Sequence, residues 1–156
     1  MTYLLVSSVL IDALNGRNGR HQFLTQLSQQ DILQACCAVN VTELHMGMRP
    51  GEEAMTKKFL KSLEFYPVTW EVAQLAGDLF RQWRQKGQTL SFTDVTIAAV
   101  ALTHKLVLVT DNRKHFPMPE LQIFPLPNLA NPGIYLTSTY PWNQKATRVR
   151  DSQRKP

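Results

Sequence analysis

The run Leu106-Val107-Leu108-Val109-Thr110 constrains the fold most. Five residues without a polar alternation cannot form a strand with one wet face, so this strand is covered on both sides. Strands buried in that way belong to parallel sheets flanked by helices. The rest of the chain agrees. Tyr3-Leu4-Leu5-Val6 and Ile32 to Cys37 read as further buried strands, Phe65 to Val68 as a short edge strand, and Leu121 to Phe124 as a last one. Helical patterns separate them: a short helix after Ser7-Ser8, an amphipathic helix over 21–29, helices over 39–48 and 52–63, and a long one over 70–86 capped by Thr69 and stopped at Gly87. On the 52–63 helix Met55, Phe59, Leu60 and Leu63 read as the inner side, and Lys57, Lys58 and Lys61 as the wet one. Trp70 and Trp83 are assigned to the core stripe of the long helix. The expectation is an α/β fold, a parallel sheet covered by helices on both faces.

Composition sets the scale. With 156 residues, 44% of them hydrophobic, one domain is expected, spanning 1–127. No apolar run approaches the ~18 residues that cross a bilayer, and the start lacks the basic region of a signal peptide, so a cytoplasmic protein is expected. Adjacent Cys36 and Cys37 have neither metal-site nor redox spacing and read as buried thiols. The net charge of +5 is concentrated at the end: Lys145, Arg148, Arg150, Arg154 and Lys155 stand against Asp151 alone. Residues 128–156, rich in Pro, Asn, Ser and Thr, are expected to form an irregular basic tail.

Sites in open parallel sheets form beyond the carboxyl ends of the strands. Acids and small polar residues stand at those places. Ser91 followed by Asp94 has the form of a capping box that opens an almost wholly apolar helix, Val95 to Leu102. Taken alone, that segment favours a plain capping role for Asp94. Glu43 repeats the arrangement in the first turns of the helix behind the second strand, and Asp111 and Asn112 directly follow the strongest strand. Carboxylates without a Cys or His ligand pattern suit a hard cation, Mg²⁺ or Mn²⁺. Ser8 reads first as a helix cap and second as a group that could orient an acid. Asp12 reads as the partner of a nearby arginine, His45 as an exposed or satisfied histidine, and His115 as near the site without a catalytic role. Arg113 and Lys114 read equally as phosphate contacts or as solvated charges.

Four pieces in this order, Leu4-Leu5-Val6-Ser7-Ser8-Val9-Leu10-Ile11-Asp12, Val39-Asn40-Val41-Thr42-Glu43-Leu44, Ser91-Phe92-Thr93-Asp94-Val95-Thr96-Ile97-Ala98-Ala99 and Val109-Thr110-Asp111-Asn112-Arg113-Lys114-His115-Phe116, resemble a PIN-domain protein of the VapC type. These are the ribonuclease toxins of type II toxin–antitoxin modules. The resemblance, over residues 3 to 127, implies a magnesium-dependent endoribonuclease, a dimer held inactive by an antitoxin. It implies Glu43 and Asp94 as acidic metal ligands and Asp111 or Asn112 in the last place. It also exposes a departure: the family's first strand ends in an aspartate, and this chain has Val6. A valine cannot bind a metal, and the loss of even an outer-shell partner costs roughly 10–100-fold in affinity or activity. An impaired nuclease is therefore expected, with a non-cutting module that binds an antitoxin or RNA as the alternative. A phosphatase on another α/β fold is disfavoured, because it needs a nucleophilic aspartate at the place that Val6 occupies.

Overall fold

A computed structural model describes residues 1–126. The elements run β1 (Thr2–Leu5), α1 (Ser7–Leu14), α2 (Arg20–Gln29), β2 (Leu33–Cys37), α3 (Ala38–Gly47), α4 (Glu53–Lys61), β3 (Glu64–Tyr66), α5 (Trp70–Gln85), α6 (Phe92–His104), β4 (Val107–Thr110) and β5 (Gln122–Pro125), with one 3₁₀ turn at Arg113–His115. All pairings in the sheet are parallel, in the order β3-β2-β1-β4-β5. The chain builds outward from β1 on one side, then crosses back after β3 and lays β4 against the other side of β1. That reversal creates a crevice at the carboxyl ends of β1 and β4, where open α/β sheets place their ligands.

Burial follows from the strand sequences. Tyr3, Leu4 and Leu5 are 1%, 0% and 0% exposed, and since successive side chains point to opposite faces, both faces of β1 are covered. Leu108 and Val109 of β4 and Ala35, Cys36 and Cys37 of β2 repeat this. The expected three-layer α/β arrangement is therefore present. α6 is buried from Val95 to Ala101, as its lack of a wet face requires. Among the described residues no helix is long and apolar enough to cross a membrane. The expected tail, and the domain boundary at 127/128, lie outside the described residues.

Several local expectations are corrected. Trp70 is 75% exposed and is not in the core stripe. At 3.6 residues per turn it sits roughly 200° around α5 from Val72, the residue that is fully buried. Trp83 does pack against the core. Phe59, Leu60 and Leu63 face the core as expected and Thr56 joins them, but Met55 is exposed. The Asp12 carboxylate accepts from the Asn18 side-chain amide at 2.7 Å, while the Arg17 backbone amide reaches only the Asp12 carbonyl. Ser7 and Ser8 are already helical: α1 takes Val6 as its N-cap and has no side-chain cap at all.

The core holds both thiols. Burial pushes Cys36 up to about 11, with its neighbour Cys37 adding to the effect, and burial also pushes Cys37 upward. Both stay protonated in the folded chain at a pH where an unfolded thiol ionises. Stability that is complete below the ordinary thiol pKa is therefore lost as the pH climbs towards about 11. Urea midpoints measured on either side of the ordinary thiol pKa should fall with rising pH, and the native thiols should resist iodoacetamide until the chain unfolds. Alkylation of the folded protein at neutral pH would contradict this packing. Leu108→Ala, at a fully buried position in β4, should cost about 2–5 kcal/mol by urea denaturation.

Candidate active site

The crevice contains a hollow of about 260 Å³, lined by Val6, Ser7, Ser8, Glu43, Asp94, Asp111, Asn112 and His115 over an apolar floor that includes Ile97 and Phe116. Every predicted site residue is in it. Four elements bring them together. Val6 directly follows β1, and its amide donates to the Val109 carbonyl of β4 at 3.1 Å. Glu43 comes from the second turn of α3, Asp94 from the first turn of α6, and Asp111 and Asn112 from the segment after β4. A larger groove of about 760 Å³ lies elsewhere, beside α1, α2 and α4 and the amino ends of β2 and β3, and gathers none of these acids.

Each acid already has a protein partner. Ser7 donates its hydroxyl to Glu43 Oε2. Asp94 Oδ2 lies 3.1 Å from His115 Nδ1. Ser8 donates to Asp111 Oδ1 at 3.3 Å, and the buried guanidinium of Arg20 lies 4.0 Å from Asp111 Oδ2. The cap of α6 is Ser91, whose oxygen accepts the Asp94 amide at 3.0 Å. Of the capping box only that half exists, because the Asp94 carboxylate goes to His115. The plain capping role therefore belongs to Ser91, and the Asp94 side chain is free of it.

Apart from the His115 ring, the side-chain atoms around the hollow that could ligate a metal are oxygens, the chemistry of a hard cation. Their arrangement is not a ready cage. Among the described residues no three His, Cys, Asp or Glu side chains form a group that could hold a metal ion. At the strand end, where a fourth oxygen would stand, Val6 lines the wall with methyl groups and is 6% exposed.

A model of the PIN domain matches residues 3–119. The chain belongs to the PIN-domain family. Its relatives are of the VapC type. Ribonuclease VapC10 of Mycobacterium tuberculosis is 35% identical over 117 residues, which are 75% of this chain and 87% of that one. Ribonuclease VapC19 of the same organism is 30% identical over 120 residues, 76% and 96% of the two chains. Among solved structures, VapBC2 from Rickettsia felis bound to a promoter DNA fragment superposes with a TM-score of 0.71 at 25% identity, covering 81% of this chain and 100% of that one. A toxin–antitoxin complex from Klebsiella pneumoniae shares the fold, with a TM-score of 0.64 at 24% identity over 76% and 94% of the chains.

Within this PIN domain the surprises are the partners of the acids rather than the acids. Ser8 is not a helix cap; its hydroxyl reaches the acid after β4. His115 touches Asp94, whereas His45 bonds only the Val41 carbonyl of its own helix. Arg20 opens α2 and is 0% exposed. Nothing in its neighbours signals that burial. Asn40 is also completely buried, and its place three residues before Glu43 in the first turn of a helix was the available signal.

Because Ser91 and not the Asp94 carboxylate caps α6, the two roles separate by mutation. Asp94→Asn keeps the cap and should change the unfolding free energy by about 1 kcal/mol or less, the usual worth of a charge at a helix start. Ser91→Ala should cost about 1 kcal/mol while leaving the carboxylate in place. A loss on Asp94→Asn far above that of Ser91→Ala would make Asp94 a structural residue.

Proposed function

We propose that this PIN domain is the toxin of a type II toxin–antitoxin pair, a magnesium-dependent endoribonuclease in a form weakened at Val6. The observation that carries this reading is the convergence of Glu43, Asp94 and Asp111, from three separate elements, on one hollow at the switch point of the sheet. Buried-sheet physics alone gives no reason to gather three acids there. The names of the VapC10 and VapC19 relatives support ribonuclease activity, and the Rickettsia felis assembly supports a cognate antitoxin as partner. A homodimer and a cytoplasmic location complete the reading.

Glu43 and Asp94 would hold the cation, with Asp111 or Asn112 in the last place, and Mn²⁺ can substitute for Mg²⁺. Magnesium retains several waters and takes few protein carboxylates, so an incomplete set still offers a seat. When bound, the cation supplies Lewis acidity towards a phosphodiester and an acidified water. The chain's own residues do the rest. Ser7 and Ser8 orient Glu43 and Asp111, Arg20 offsets the charge of Asp111, and Ile97 and Phe116 keep the floor of the hollow dry. Arg113 and Lys114, exposed beside the hollow, are placed to meet the RNA backbone. A second reading, a PIN module that binds antitoxin or RNA without cutting, is favoured by one observation: every acid is already satisfied within the protein.

Cleavage of a structured RNA panel in Mg²⁺ and Mn²⁺ by the protein, Val6→Asp and Asp94→Ala separates the readings. Val6→Asp should cut at least about 10-fold faster than the protein as it stands, and Asp94→Ala should not cut. Saturating Mn²⁺ should raise the melting temperature of Val6→Asp more than that of the parent, since binding to the native state stabilises by about 2.7 kcal/mol at 100 times Kd. If none of the variants cuts any RNA, the binding-module reading replaces the nuclease reading.

A further inference from the structure

We infer that Ser7 and Asn40 are positioning residues that hold the Glu43 carboxylate in the site through a one-way buried hydrogen-bond chain. This rests on Glu43 being a functional acid, as proposed above, and adds two residues that the acidic pattern does not name. The Cys37 backbone N–H donates to Asn40 Oδ1 at 2.8 Å. A backbone amide can only donate, so the orientation of the Asn40 amide is determined and its nitrogen faces the other way. That nitrogen donates to Ser7 Oγ at 2.9 Å. The serine oxygen, already accepting, turns its single hydrogen to Glu43 Oε2. Every direction in the chain follows from the first.

Burial makes this more than a surface contact. Asn40 is 0% exposed and Ser7 8%, so water cannot take the place of the Asn40–Ser7 link, while the Ser7–Glu43 link is part-buried at the wall of the hollow. A buried amide needs its partners whatever its role, and that requirement would be met by any acceptor. What is particular here is the destination. The chain starts at the junction of β2 and α3, crosses to the first residue of α1 and ends on the acid that faces the hollow. It thereby locks the ends of β1 and β2 to each other and points Glu43 from both. Packing alone would not select one rotamer for a glutamate at the rim of a hollow, and a fixed donor does.

The test reads rotamers and proton exchange, neither of which needs a metal or a substrate. In the protein as it exists, the Asn40 side-chain amide protons should exchange slowly, and the three-bond couplings of Glu43 should be those of a single rotamer. Ser7→Ala should leave the fold intact, average the Glu43 couplings and speed Asn40 exchange; Ser7→Thr, which keeps the hydroxyl, should restore both. Asn40→Asp retains the acceptor for Cys37 but loses the amide donor, and should also release Glu43. Unaveraged Glu43 couplings in Ser7→Ala would overturn the inference. Parallel Mn²⁺ titrations separate the two readings. Loss of about 10-fold or more in Ser7→Ala, rescued in Ser7→Thr, supports positioning. If Glu43→Gln weakens Mn²⁺ binding while Ser7→Ala does not, Glu43 is functional and the positioning role fails. If Glu43→Gln changes neither Mn²⁺ binding nor RNA cleavage, the functional reading of Glu43 fails and the positioning role with it.

Discussion

The structure depends on β1 being gripped from both sides. Its register runs Thr2 to Leu4 against Leu33 to Ala35 of β2, and Tyr3 to Leu5 against Val107 to Val109 of β4. Those two pairings point the chain order in opposite directions, so the loops leaving β1 and β4 diverge and open the crevice. Because the strand is buried on both faces, a one-residue slip would exchange the side chains facing each layer and misplace every residue after Leu5. The site is thus located by the burial of three apolar side chains, Tyr3, Leu4 and Leu5, that never touch it.

Three acids in one small hollow pose an electrostatic problem that the fold has to answer. The chain answers with one partner for each acid. A neutral hydroxyl serves Glu43, a histidine serves Asp94, and a hydroxyl with a more distant guanidinium serves Asp111. These are not equivalent. The hydroxyl on Glu43 orients without adding charge and leaves the attraction for a cation intact, whereas the cationic neighbour of Asp111 reduces it.

Much of this was legible in the sequence, and the reason is physical. Continuous apolarity from Leu106 to Val109 could only mean a strand covered on both faces, and the acids stand where such strands end. Asp94 was legible only through its company: its segment alone reads as a plain cap, and the acids standing after the other strands are what set it apart. Side-chain direction was harder to read. Trp70 was misplaced because an aromatic next to a buried stripe is not on it unless the angle agrees, and Ser8 because a serine before an apolar run reads as a cap even when the helix has already begun. Arg20 was invisible: its buried guanidinium lies 4.0 Å from Asp111, 91 residues further along the chain, a proximity that no local pattern encodes.

Position 6 shows fold and function drawing on the same backbone. It directly follows β1, and it is also the N-cap of α1, the place where an aspartate side chain would accept the first free amides of the helix. An aspartate there would contribute about 1 kcal/mol as a cap, yet it would add a further negative charge to a hollow that already holds three. Valine takes neither course: it leaves α1 without a side-chain cap and lines the wall of the hollow with two methyl groups at 6% exposure, so position 6 contributes packing and no charge.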